Sequence, residues 1–255
     1  MQPIYETHFS IHSYEVDYRG RMRLFSLLNY LQEAAGEHSA RLHLAVTDLH
    51  RLGLTWVLSR YHVRVLRYPK IGETLRVRTW PSERQGKGTL RDFRVTDEAD
   101  ETVALAGSSW VLLDRRSKRP VEISEHLPSY PLHPERAIVT DFPVPDIVED
   151  PELELPFRVR MADIDLNHHV NNAVYPAWAL ETVPQEVLRN YLPVELEVQY
   201  RAEALYEDRV LSRAREIGRK DGPAYLHQLV REGDGRELTR LKSRWRKEGE
   251  EDSRR

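Results

Sequence analysis

The 255-residue chain has no cysteine. Disulfides, thiolate metal sites and a cysteine nucleophile are excluded together, and nothing asks for an oxidising compartment. No apolar run approaches the roughly 20 residues that a membrane helix needs. The start, Met1-Gln2-Pro3-Ile4-Tyr5-Glu6, lacks the basic and apolar regions of a signal peptide, so a cytoplasmic protein is expected. Charge of one sign is lacking too: 38 basic residues face 41 acidic ones. No net field marks a nucleic-acid binder, and an electrostatic partner would need a local patch. Several chemical signatures are missing as well. There is no G-x-S-x-G elbow for a serine hydrolase and no H-E-x-x-H metal spacing. Gly86-Lys87-Gly88-Thr89 lacks the upstream glycine of a phosphate loop and reads as a hairpin. No metal and no cofactor are expected.

What is present is a repeat. Pro128, Pro131, Pro134, Pro143, Pro145, Pro151 and Pro156 crowd one stretch, which is a poor helix or central strand and reads as an extended linker. Either side of it the sequences match. At an offset of 148, Glu15 falls on Asp163, Asp17 on Asp165, Tyr30 on Trp178 and Glu33 on Glu181. At an offset of 135, Val63 falls on Val198, Glu73 on Asp208, Ser108 on Ser243 and Trp110 on Trp245. The change of offset marks an insertion in the first half near Leu42–Gly53. We read a duplicated domain: residues 1–127, a linker over 128–153, a second copy over 154–247 and a charged tail over 248–255. Each copy reads as a short strand (Thr7–Tyr14; Glu154–Met161), a long helix (Leu24–Leu42; Ala173–Asn190) and then strands alternating polar and apolar residues. One long helix against an antiparallel sheet, twice, is an α+β architecture.

The densest polar run is Asp163-Ile164-Asp165-Leu166-Asn167-His168-His169-Val170-Asn171-Asn172. It joins the first strand of the second copy to its helix, where free backbone N–H groups can stabilise an oxyanion. On the helix, Val174, Ala177, Trp178 and Glu181 fall at i, i+3, i+4 and i+7 and share one face. A carboxylate on a core-facing stripe needs a partner or a task, so Asp165, Asn167, His169 and Glu181 are the candidate catalytic set. Asn171 or Asn172 also suits a helix N-cap, and His168 reads as solvent-exposed. In the first copy, Arg19 and Arg21 stand where Asn167 and His169 stand in the second. A guanidinium stays protonated and makes a poor base, so one active site per chain is expected.

These residues resemble the fatty acyl-ACP thioesterases of plants and bacteria. In the second copy the resemblance rests on Asp163 to Tyr175 and on Trp178-Ala179-Leu180-Glu181. In the first it rests on Phe9 to Glu15, Asn29 to Glu33, Arg67-Tyr68-Pro69 and Ser108 to Val111. It implies a tandem double hotdog, each an antiparallel sheet wrapped around one long helix. It also implies hydrolysis of the thioester of acyl carrier protein by water, in fatty acid biosynthesis. Asp165, Asn167, His169 and Glu181 would be catalytic, with Glu181 or His169 activating water, a burial-raised pKa for Glu181, and Asp165 orienting His169. Asn171, Asn172, Trp178 and Glu33 would contact substrate, and the first domain would hold the acyl chain. An acidic carrier protein calls for a basic patch; Arg240, Lys242, Arg244 and Arg246 alternate along the last strand, and Arg60, Arg64 and Arg67 form a second stripe. No nucleic acid or membrane partner is expected, and either a monomer or a homodimer fits. The rivals are an acyl-CoA thioesterase of the hotdog superfamily and a non-catalytic acyl-thioester-binding module.

Overall fold

The computed structural model describes residues 2–249, so most of the charged tail expected over 248–255 lies outside the described residues. The described residues form two compact units, one of 2–61 with 65–141, the other of 62–64 with 142–249.

In the first unit, β1 (Tyr5–Ser10) precedes α1 (Leu24–Arg41) and α2 (Val46–Arg51). Then come β2 (Leu54–Val65), β3 (Thr74–Gln85), β4 (Gly88–Thr96), β5 (Thr102–Asp114) and a single turn, α3 (Ile123–His126). The strands lie in the order β1-β3-β4-β5-β2. Helix α1 packs on β1 and β3. It buries Leu24, Leu27, Leu28, Leu31, Ala34, Ala35 and His38, a helical stripe in which each leucine contributes about 1.5–3 kcal/mol of hydrophobic stabilisation. The insertion near Leu42–Gly53 is α2 and its flanks. It closes a satellite core of Leu42, Leu44, Leu49 and Leu54 against Leu112, Ile123, Leu127 and Tyr130.

The second unit repeats the plan with β6 (Leu153–Arg158), α4 (Val174–Glu181), α5 (Gln185–Asn190), β7 (Tyr191–Tyr200), β8 (Arg209–Gly218), β9 (Ala224–Arg231) and β10 (Glu237–Lys247). Its order, β6-β8-β9-β10-β7, is the order of the first. Helix α4 packs on β8, β9 and β10. Each unit is a hotdog, and the chain is a tandem double hotdog.

The duplication extends to individual hydrogen bonds. Asp17 N donates to Arg21 O at 2.7 Å and Asp165 N to His169 O at 2.8 Å; Ile11 N donates to Glu73 O at 3.0 Å and Val159 N to Asp208 O at 2.9 Å. Trp110 Nε1 donates to Ser108 Oγ, and Trp245 Nε1 to Ser243 Oγ, both at 2.9 Å.

Two expectations change. The single helix expected over Ala173–Asn190 is broken into α4 and α5. Pro184 has no N–H to continue the ladder, and it turns Val183 away from helical geometry. The proline-rich segment is extended, as expected of a linker, but it is packed rather than loose. Trp80 Nε1 donates to Glu135 O at 2.7 Å, Asp92 accepts Arg136 Nε and Ala137 N, and the first unit runs on to Asp141. Among the described residues no helix is long and apolar enough to cross a membrane.

Candidate active site

The loop between β6 and α4 is a tight, internally bonded turn. Asp165 N donates to His169 O at 2.8 Å, His168 N to Asp165 O at 3.0 Å, and Asn171 N to Asp163 O at 2.8 Å. The Asp165 carboxylate closes it by accepting Asn167 N at 2.8 Å. Buried Asp163 anchors its start, accepting Arg160 N at 2.8 Å and the Arg160 guanidinium at 2.7 Å. These bonds fix where Asn167 and His169 leave the backbone.

His169 is oriented from another element. Its Nε2 lies 3.0 Å from Glu203 Oε2, with the two side chains 28% and 49% exposed. Glu203 follows β7 on a segment held twice: Val170 N donates to Ala204 O at 3.1 Å, and Ala204 N donates to the Tyr175 hydroxyl at 2.9 Å. Tyr175 is buried in α4, so helix, loop and segment are locked together. Burial raises the Tyr175 pKa, which keeps that hydroxyl neutral. On the same turn, two residues before His169, Asn167 has no side-chain partner among the described residues, and its Oδ1 is buried and unsatisfied. A buried amide oxygen without a donor is costly unless something brings one.

The structure thus brings Asp165, Asn167 and His169 together, but with altered roles. Asp165 shapes the turn, and Glu203, which the sequence reading missed, orients His169. A signal for Glu203 existed: at the 135-residue offset it falls on Tyr68, a third chemical difference between the halves after Asn167/Arg19 and His169/Arg21.

Glu181 is not core-facing. It is exposed at the end of α4 and makes no hydrogen bond or ion pair among the described residues. The helix is buried on nearly all sides, at Val174, Tyr175, Pro176, Trp178, Ala179 and Leu180, and the polar residue taken inside at its end is Thr182, not Glu181; Thr182 Oγ1 lies 2.9 Å from Trp178 O and 2.8 Å from Ser212 Oγ. The burial expected of Glu181 is therefore absent. Seven residues of helix also carry it about 10 Å along the axis from the start of α4. Glu33, its counterpart on α1, is likewise exposed.

The other expected contacts sort by geometry. Asn171 serves the helix start, its Oδ1 accepting Ala173 N at 2.8 Å and its carbonyl accepting Val174 N at 2.9 Å. Those two N–H groups are thereby spent, and Pro176 has none, so the start of α4 offers less to an oxyanion than the sequence suggested. Asn172 accepts the Tyr200 hydroxyl on its carbonyl at 3.0 Å. Trp178 is 5% exposed, with its ring stacked on Phe157 at 5.6 Å; it is part of the core.

The basic stripes are largely compensated. Arg240 is bonded to Glu237, and Arg244 lies 3.7 Å from Glu195 and 3.9 Å from Asp221. Arg246 also has a partner, while Lys242 has none among the described residues. Arg64 is bonded to Glu195, and Arg67 to Glu73 and Asp97; Arg60 has a partner too. Within the second unit, His62, Glu195 and Glu197 place ligand-type atoms within 4.8 Å of one another. Burial works to raise the Glu195 pKa, but bonds from His62 and Arg64 hold it down to about 2. A metal there would have to displace them. A groove of about 820 Å³ lies between Val144–Glu149 and the far end of β8, at Arg215, Glu216 and Ile217, and contains none of the loop residues.

The comparisons with known proteins agree with this fold. A family model of the acyl-ACP thioesterase N-terminal domain matches residues 2–129, and one of the C-terminal domain matches residues 148–247. The chain is 30% identical over 279 residues to oleoyl-acyl carrier protein thioesterase 1, chloroplastic, of Arabidopsis thaliana, covering 95% of this chain and 76% of that one. Among solved structures it is similar to a 12:0-ACP thioesterase from Umbellularia californica, with 26% identity, a TM-score of 0.82 and coverage of 97% and 98%. An acyl-ACP thioesterase from Bacteroides thetaiotaomicron, at 22% identity, shares the fold with a TM-score of 0.82 over 95% and 98% of the two chains. With one family model matching each hotdog unit, the chain belongs to the acyl-ACP thioesterase family and is a thioester hydrolase.

Proposed function

We propose that the protein hydrolyses fatty acyl-acyl carrier protein to free fatty acid and holo-carrier protein, ending chain elongation in fatty acid biosynthesis. The observations that carry the mechanism are the His169–Glu203 pair and the unpartnered Asn167 amide on the turn that also carries His169. In this reading Glu203 takes a proton from water, and the water oxygen attacks the thioester carbonyl carbon. The Asn167 amide steadies the reacting oxygen atoms. As the C–S bond breaks, His169 gives its Nε2 proton to the departing thiolate, and Glu203 returns the water proton to His169. Asp165 acts through the turn it closes. The acyl chain lies in the first unit, between α1 and its sheet, where the buried helix face is apolar and carries the small residues Ala34 and Ala35. Lys242 is the cation of the β10 stripe best placed to meet an acidic carrier. A cysteine-free chain suits the reducing cytoplasm, which we take as its compartment.

The test is a panel of acyl-ACPs of graded length, with free fatty acids identified and acyl-CoAs of equal length run beside them. Equal rates on both carriers would remove the carrier-protein reading; binding without release of free thiol would remove the hydrolase reading for this chain. Glu203→Gln should cut kcat by about 10²–10⁴, the usual share of a general base, whereas Glu181→Gln should stay within a few-fold of wild type. The opposite result would return the base to Glu181.

A further inference from the structure

In the first unit a guanidinium is buried without a counter-charge. Arg91, on β4, is 8% exposed. Its Nη1 donates to Thr79 Oγ1 at 3.2 Å and lies 3.1 Å from His38 Nδ1. No carboxylate pairs with it among the described residues. The nearest in sequence, Asp92, lies at the next strand position, whose side chain takes the opposite face of the sheet, and is bonded to Ser82, Arg136 and Ala137. Arginine only donates, so His38 Nδ1 must be the acceptor and its proton sits on Nε2. His38 is therefore neutral and offers no charge. The phenols of Tyr61 and Tyr130 are also nearby, and burial raises both their pKa values, so they are neutral as well. Desolvation lowers the Arg91 pKa to about 10, which still leaves the group charged at neutral pH.

A buried cation costs free energy that a neutral residue of equal volume would avoid. Its site explains what it does. Arg91 lies on the sheet face that meets α1, touching its last turns through His38, while Leu24, Leu27, Leu28 and Leu31 line the same helix face further toward the N-terminus. The interface between α1 and the sheet thus runs from an apolar end to an end formed by Arg91, Thr79 and His38. An alkyl chain gains from burial along the leucines. Against a guanidinium with N–H donors still unspent it gains nothing and strips the charge of its remaining hydration. We infer that Arg91 is a specificity-determining residue, the polar stop that limits how long an acyl chain the first unit accepts. The inference rests on the reading that the first unit holds the acyl chain.

The experiment compares product chain length for wild type, Arg91→Met, Arg91→Gln and Ala35→Leu on the acyl-ACP panel, with melting curves for each. Arg91→Met keeps the length of the side chain and removes the charge. It should move the main product two to four carbons longer, raising the ratio of kcat/KM for long over short chains at least about tenfold, since one or two methylenes account for that much. A purely structural defect would lower both ends in proportion. If Arg91→Met does not fold, Arg91→Gln, which keeps a donor for Thr79, decides in its place. Ala35→Leu fills the helix–sheet interior and should shorten the product. An unchanged profile in the folded Arg91 variants, with Ala35→Leu shortening it, overturns the polar stop and leaves the acyl site in place. No change in any folded variant overturns both.

Discussion

His168 and His169 are neighbours in sequence with separate tasks, and the backbone decides which is which. His168 is exposed and has φ of 65°, a left-handed conformation that an L-residue enters at a cost. At the 148-residue offset its counterpart is Gly20, with φ of 75° in the same turn. The turn demands that conformation, not the imidazole. His168→Gly should therefore retain thioesterase activity and be neutral to stabilising by up to about 1 kcal/mol, the relief of strain being offset in part by the extra freedom of glycine in the unfolded chain; a Tm lowered by several degrees, or loss of kcat, would show that the side chain matters. The sequence was informative about this loop because its residues are contiguous and differ from their repeat partners. It was misleading about Glu181 for a geometric reason. A helical stripe displaced by one residue turns through about 100°, so Thr182 is inside and Glu181 outside, and eight residues of α4 buried on nearly all sides leave no polar face to fix the phase. Glu203 was missed because its partner in the site is 34 positions away, and only the fold brings it to His169.

At the scale of elements, the order of strand, helix and strands along each half was legible because polar–apolar alternation and turn residues recur in both halves. Helix ends were less so. The 18 residues of α1 run uninterrupted, whereas Pro184 stops its counterpart after eight, and pattern matching between copies hid that local rule. Another local constraint governs the β8–β9 hairpin. Gly222 has φ of +101°, and a Cβ there would lie 2.0 Å from the Trp245 carbonyl oxygen of β10. Trp245 N in turn donates to Pro223 O at 2.8 Å, so the hairpin backbone is laid directly on the strand. Gly222→Ala must separate them or lose the bond. It should destabilise the second unit by more than about 2 kcal/mol, combining strain with overpacking, against a change within about 0.5 kcal/mol for Gly233→Ala, whose Cβ would meet nothing within 4 Å. Denaturant midpoints of the two variants make the comparison. Equal midpoints would mean that the hairpin stands off β10.

On the scale of the whole molecule, burial pushes down the pKa of His38 in the first unit and of His227 in the second, and this shapes how the protein meets acid. Burial lowers the His38 pKa to about 4, with Arg91 adding to the effect, and lowers that of His227 to about 3. His227 is fully buried on β9, with Nε2 2.7 Å from Ser243 Oγ. An unfolded chain binds both protons near the ordinary histidine value of 6.5. Stability from this source is therefore complete above pH 6.5 and falls as the pH drops toward the folded values, with a slope approaching about 2.7 kcal/mol per pH unit for two protons. Glu195 acts lower down. Its folded pKa of about 2 lies below its ordinary 4.5, so its contribution is present above about 4.5 and is lost only on further acidification. The interval between pH 6.5 and 5 thus isolates the histidines. Unfolding free energy should fall steeply across it in the wild type, and less steeply in His38→Gln and in His227→Gln, each of which removes one of the two protons. A wild-type curve that stays flat to pH 5 would mean that both imidazoles are protonated in the folded protein, and the neutral acceptor assigned to His38 beside Arg91 would fall with it.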